Sequence, residues 1–271
     1  MNTEKQPSAA WVGAGLLLLA IVIFSLYRLM QPDRLDLPDF AEFEQVEERK
    51  VAFFDFLAPI VAEENDRVRA QRRRLLMLAE KLEAGDRLPP LQRRRMKALA
   101  AEYELEWPGE SREETLATLL RRIDVVPLPL ALVQAAKESG WGQSRFAREA
   151  NNLFGHWCFS PGCGIIPAQR ASGASHEVAA FKSVRQSVRR YLNNLNTHES
   201  YRPLRELRQA ERLAGKAPTA LTLADGLILY SERREAYVED IKSILLANQA
   251  LIDVAASEIE EAPTAAGESR S

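Results

Sequence analysis

The chain has 271 residues, 36 of them Lys or Arg and 38 Asp or Glu, for a formal net charge of −2. That balance offers no basic surplus for a nucleic-acid partner, and none is expected. An apolar fraction of 46% is ample for a core, while two cysteines exclude both a disulfide scaffold and a four-cysteine zinc site.

From Gln6 to Tyr27 there is no charged residue, a run of 22. About 20 apolar residues at ~1.5 Å rise each span a ~30 Å hydrocarbon core. Trp11 and Tyr27 sit at the two ends, where amphipathic rings prefer the interface. A cleaved signal peptide would have a shorter apolar region followed by small residues; here Tyr27, Arg28, Leu29 and Met30 come next. The run therefore predicts a transmembrane anchor over 11–30, behind a short cytoplasmic N-terminus, 1–10. Lys5 on one side and Arg28 and Arg34 on the other leave the positive-inside count silent on orientation.

Residues 31–50, with Asp33, Asp36, Asp39, Glu42 and Glu44, predict an acidic, solvated stalk. In the segment 51–108, Phe53, Phe56, Leu57, Ile60, Val61, Val68, Leu75, Leu78 and Leu82 recur at helical spacing until Gly85-Asp86 and Pro89-Pro90. A second helix over 92–104 would complete a helical hairpin, with the arginine runs at 72–74 and 93–95 on its solvated faces. Ser111 to Glu114 has the form of a capping box and opens a helix through Arg122. Pro129 suits the first turn of the next helix, which ends at Ser139. Past Asn152, the cluster of Cys158, Pro161, Gly162, Cys163, Gly164, Pro167 and Gly173 predicts a loop or small β-rich lobe. Helices resume over 184–196, 201–209, 221–231 and 235–251, and the acidic stretch 253–271 reads as a disordered tail. The fold class is mainly α, with the principal domain over 109–252.

Glu138 ends the apolar helix LALVQAAKESGWG, at a place where a core position is normally Leu or Ala. The glycines after it break the helix and set Trp141 beside the carboxylate. Apolar surroundings disfavour the charged form and raise a carboxyl pKa toward neutrality, so that it can protonate a leaving oxygen. The other reading is an exposed helix-end glutamate paired with Lys137 or Arg145.

The stretch QAAKESGWGQSRFAREANNLFGHWCF strongly resembles the peptidoglycan-cleaving endo-β-N-acetylglucosaminidases, and among them the Bax-like branch. WCFSPGCG at 157–164, HEVAAF at 176–181, YLNNLNTHESYRPLR at 191–205 and LILYSERREAYV at 227–238 carry the likeness over about 110–250. The resemblance implies a lysozyme-like helical domain with a small β-lobe, preceded by the helical hairpin and one N-terminal transmembrane helix. It also implies hydrolysis of the β-1,4 bond after N-acetylglucosamine in the glycan strands of peptidoglycan, without a cofactor, and places Glu138 on the family's general acid. A second carboxylate is implied on the β-lobe. Between Cys158 and Phe181 the one acidic residue is Glu177, to be read as that group or as a structural strand glutamate; a route using the substrate's own acetamido carbonyl would need neither. Tyr230 aligns with the tyrosine that the family holds near the reacting sugar, the alternative being a buried tyrosine with a backbone partner. Trp141, Phe154, Trp157 and Tyr201 would suit a glycan groove or a core. Asn151 and Asn152 would bond acetamido groups or cap a helix.

Cys158 and Cys163 are near enough in sequence to bridge, with two free thiols as the other reading. With His156, His176 and His198 they fit no standard zinc spacing, so no metal is expected. An oxidised pair and a wall substrate place residues 31–271 in the periplasm, as a single-pass protein of a bacterial inner membrane. The competing functions are a lytic transglycosylase on the same fold and a non-catalytic wall-binding or regulatory protein.

Overall fold

The structure is a computed structural model that describes residues 37–168, 170, 173 and 175–261. The short N-terminus 1–10, the anchor expected over 11–30 and the first residues of the stalk lie outside the described residues, as do 262–271. Among the described residues no helix is long and apolar enough to cross a membrane.

The described residues form ten α-helices and one small sheet. Helix α1 (Val46–Glu83) is 38 residues long, about 57 Å at helical rise. It turns back into α2 (Pro90–Glu102) to make the expected hairpin. Next come α3 (Arg112–Arg122), whose N-cap Ser111 accepts from the Glu114 amide, α4 (Leu128–Ser139) and α5 (Arg145–Ala150). Strands β1 (Trp157–Cys158), β2 (Gly164–Ile165) and β3 (Glu177–Ala179) form an antiparallel sheet of order β1-β3-β2. Trp157 pairs with Val178 and Gly164 with Ala179. Helices α6 (Val184–Thr197), α7 (Arg202–Leu213), α8 (Ala220–Ala224), α9 (Glu235–Ala247) and α10 (Gln249–Glu261) complete the chain. The fold is therefore mainly α with a small β-lobe.

Helix α4 is the buried centre. Leu130 to Ala136 are all enclosed, and the same core takes Phe53, Phe54, Leu57 and Val61 of α1, Tyr191 and Leu195 of α6, and Tyr237 and Ile241 of α9. The first half of α1 is thus part of the core around α4. The hairpin end has its own cluster, with Leu75, Met96, Ala100, Leu119 and Ile123. Three arginines join the helices through buried Asp124: Arg212 donates to it from Nε and Nη2, each at 2.8 Å, while Arg72 and Arg208 approach it at 3.7 and 4.0 Å. Arg72 also donates to the carbonyls of Leu120 and Ile123 at 2.7 Å, so this member of the first arginine run is turned inward.

Three expectations are corrected. The stalk is not solvated throughout: Phe40 is 1% exposed, packed edge-on against Phe53 and Phe56. Arg49 of α1 holds that segment down by donating to the carbonyls of Phe40 (3.0 Å) and Phe43 (2.7 Å). The acidic tail is helical as far as Glu261, because Ile252 and Ala255 fall on one face and bury against α1. The helix expected over 221–231 stops early, as α8 and one 3-10 turn after it. There Gly226 packs on the backbone of Leu204, where any Cβ would overlap.

Candidate active site

The turn after Glu138 is built by local bonds. Gly140, Trp141 and Gly142 take successive left-handed φ values of 58°, 57° and 79°. Buried Ser139 fixes them: its hydroxyl donates to Ala135 O at 2.6 Å and accepts from the Gly142 amide at 2.8 Å. Trp141, strained into a conformation L-residues rarely adopt, is held by its ring, which packs on Phe53 and Phe54 with Lys50 Nζ 5.7 Å from the centroid. It braces the turn from behind.

Glu138 is part-buried. Desolvation raises its pKa, against a hydrogen bond from Tyr237 and the nearby Lys137 charge, which both lower it. Lys137 is turned away to Asp240 at 2.8 Å. Gly155 lies beside the carboxylate, where a Cβ would stand 3.6 Å from Glu138 Oε2.

Four tyrosines feel the Glu138 charge: Tyr191, Tyr201, Tyr230 and Tyr237. Burial first, and then neighbours that include Glu138, pushes all four hydroxyls above the ordinary range, Tyr201 to about 12. They remain hydrogen-bond donors at neutral pH. Tyr230 stacks on Tyr237 at 5.4 Å and lies 5.7 Å from Tyr201. Its hydroxyl donates to Phe154 O at 2.9 Å, which is the backbone partner of the structural reading.

Three residues were missed. Tyr191 Oη donates to Gln134 Oε1 at 2.7 Å, and Gln134 Nε2 donates to Tyr237 Oη at 3.0 Å. For Gln134 the signal was an amide one turn before Glu138 in a largely apolar helix, and the structure buries it fully. Its partner Tyr237, 103 residues away, carried none.

The other expected site residues divide between the helical body and the lobe. Asn151 is the left-handed C-cap of α5, and its amide donates to Phe181 O at 3.1 Å. Buried Asn152 donates to His156 O and Ala179 O, both at 2.9 Å, and its oxygen accepts from the amides of Phe154 and His156. That uses its hydrogen-bonding capacity in full and leaves nothing for an acetamido group. Phe154 is 1% exposed and stacked on Tyr191 at 4.0 Å, so its face is unavailable to a sugar. Tyr201 is 8% exposed. Trp157 is the open aromatic: 54% exposed, on β1, stacked on His176 at 3.9 Å. Phe159 and Ile166 of the same lobe are exposed too.

Glu177, on the central strand, is 6% exposed. Its two oxygens accept from the amides of Gly162 (3.0 Å) and Gly164 (2.8 Å), and these bonds hold its pKa low. Cys158 and Cys163 form a disulfide with Cα atoms 6.2 Å apart, so the sulfurs beside Glu177 are not thiolate ligands. Bridge and carboxylate together fix the loop 158–164. His156 is enclosed by Phe154 and Phe181, and burial, then the Arg190 charge, lowers its pKa to about 4. A cavity of about 300 Å³ between α1 and α6, lined by Glu64, Arg67, Tyr103 and Arg189, includes none of the expected site residues.

A carboxyl whose pKa burial raises, beside protonated hydroxyls on a rigid helical body with an aromatic-bearing lobe, is the equipment of a glycoside hydrolase. Residues 113–250 match the glucosaminidase family model, described as mannosyl-glycoprotein endo-beta-N-acetylglucosaminidase, and the chain belongs to that family. Over 216 residues, 80% of this chain and 76% of the relative, it is 35% identical to Protein bax of Escherichia coli (strain K12). No solved structure matches the chain.

Proposed function

We propose that the protein cleaves the β-1,4 bond after N-acetylglucosamine in peptidoglycan, with Glu138 giving its proton to the glycosidic oxygen. The observation that carries this is the Glu138 carboxyl, raised in pKa by desolvation at the end of α4 and surrounded by tyrosine hydroxyls. Tyr201, Tyr230 and Trp157 border the glycan. Glu177, with both oxygens engaged by backbone amides, holds the β-lobe. The substrate's own acetamido carbonyl then supplies the second group that the oxocarbenium-like transition state needs. Residues 11–30 tether the enzyme to the inner membrane, and the catalytic domain works in the periplasm.

The test is Glu138→Gln on purified sacculi, which abolishes release of muropeptides with reducing-end N-acetylglucosamine. Undiminished release would sink the assignment. Anhydro-muramyl products from the wild type would indicate a lytic transglycosylase, and glycan binding without product a non-catalytic protein. For the tether, a carboxyl-terminal reporter active only in the cytosol would overturn the orientation.

A further inference from the structure

The basic runs on the hairpin take no part in the site around Glu138. Arg73, Arg74 and Lys81 of α1, with Arg87 in the turn, are exposed and form no ion pair or hydrogen bond among the described residues. The same holds for Arg93, Arg94, Arg95 and Lys97 of α2. Over 73–97 these eight cations stand against three acids, Glu80, Glu83 and Asp86, a net charge of +5 in a chain of −2. Glu102, the acid at the end of α2, is already held by Arg67 and by Gln71, whose amide donates to it at 2.9 Å. Helical spacing sets the cations around exposed apolar side chains. Arg74, Met77 and Lys81 stand at i, i+3 and i+7, a single stripe of α1, and Leu91, Arg94, Arg95 and Ala98 form a matching stripe of α2. Met77 is 56% exposed and Leu91 59%, while other faces of the two helices bury Leu75, Ala79, Met96 and Ala100. A groove of about 530 Å³ joins the stripes, bordered by Arg74, Met77 and Lys81 on one bank and Arg95 on the other.

We propose that this outer face of the hairpin docks on an anionic phospholipid bilayer, with Met77 and Leu91 entering between headgroups whose phosphates the arginines and lysines bind. Charge complementarity gives the sign of the partner, and the apolar side chains give its kind. A soluble polyanion is matched by the cations alone and offers nothing to an exposed Leu or Met. A bilayer of acidic lipid presents an anionic surface over an apolar layer, and helices that lie on it carry this mixture of basic and apolar side chains. Guanidinium groups, which make up seven of the eight cations, suit phosphate because they bind it with two parallel bonds. Residues 262–271 are no substitute for such a partner, since Glu268 is offset by Arg270. The inference goes beyond the glycosidase reading and depends neither on it nor on residues 11–30 as a tether.

The experiment places an environment-sensitive fluorophore on Leu91→Cys in the full chain, where the two native cysteines are bonded to each other and leave one thiol to label. Vesicles of phosphatidylcholine alone are compared with vesicles that also contain phosphatidylglycerol, each with and without a nitroxide-bearing lipid. The label shifts to the blue and is quenched by the nitroxide in phosphatidylglycerol vesicles, and stays water-like in phosphatidylcholine. A tether over 11–30 would act in both and so cancels. Arg93→Gln, Arg94→Gln and Arg95→Gln together lower the ratio of docked to undocked label ~100-fold, about fivefold per cation. Added salt undocks the labelled chain as well, and that arm needs no charge variant. A label on Leu246→Cys, exposed on α9, stays water-like throughout. A water-like label at 91 in phosphatidylglycerol vesicles would overturn the proposal, as would an equal response at 246. Retention on sacculi that the triple variant loses, without any nitroxide quenching, would give the face to the wall polymer and overturn it too.

Discussion

Gly142 lies directly against the ring of Phe40, so close that any Cβ at 142 would overlap it. The segment just ahead of α1 is thereby packed behind the turn that carries Glu138, and Gln143 adds a 3.4 Å contact with Arg49. Gly142→Ala meets two penalties, a left-handed φ of 79° and the Phe40 ring. We expect a loss of about 2–4 kcal/mol in urea unfolding. Adding Phe40→Ala relieves the overlap but not the φ strain. A double variant no better than the sum of the two singles would disprove the contact's role.

Desolvation of Glu138 carries a stability cost with a definite sign. Its folded pKa lies above the unfolded value of 4.5, so across the interval between the two the native state binds more protons. Stability therefore falls as pH rises through that interval. Glu138→Gln, inactive on sacculi, should melt higher than the wild type at pH 7 and lose the advantage near pH 4. Equal melting temperatures at both pH values would count against a desolvated carboxyl.

His156 works in the opposite direction. Held neutral with a pKa of about 4 against an ordinary 6.5, it binds fewer protons folded than unfolded. The stability it leaves intact above pH 6.5 is lost progressively as pH falls toward 4, by up to ~3 kcal/mol. His156→Leu should flatten that acid loss, measured as unfolding free energy between pH 7 and pH 4. An unchanged slope would place the acid sensitivity elsewhere.

Glu177→Gln separates a lobe-holding carboxylate from a catalytic one. The amide's NH₂ end must face either the Gly162 or the Gly164 N–H, donor against donor, so one of the two bonds is lost. The expected result is a lower melting temperature and a raised KM, with kcat reduced less than tenfold. A collapse of kcat at unchanged stability would instead make Glu177 part of the chemistry.

Phe154 and Trp157 sit three residues apart and should respond in opposite ways. Phe154→Ala opens a cavity beside Tyr191 and costs about 3–5 kcal/mol in chemical denaturation. Trp157→Ala, at a 54% exposed position, should leave stability within about 1 kcal/mol while raising KM for glycan strands. Binding unaffected by the loss of Trp157 would exclude it from the groove.

Much was legible in the sequence because it is local. Helical period placed α1, α2, α4 and α6. The capping box gave the start of α3. The turn after Glu138 is closed by bonds spanning three to five residues, which a short motif can encode, and the Cys158–Cys163 bridge closes over a separation of five. By itself the sequence determined a mainly helical chain, a glutamate at the end of an apolar helix, and two cysteines close together in a Gly/Pro-rich stretch. What only the tertiary structure decided depends on partners distant in the chain. It buried Phe40 and Phe154, used up Asn152 within the loop and β3, gave Glu177 to backbone amides, and folded 253–261 onto α1. It also brought Tyr237 and Tyr191 to Gln134 across 103 and 57 residues. The physical reason is the same throughout: whether a polar or aromatic side chain serves a substrate or the fold depends on which of its bonds and faces are already taken, and burial and long-range contact set that.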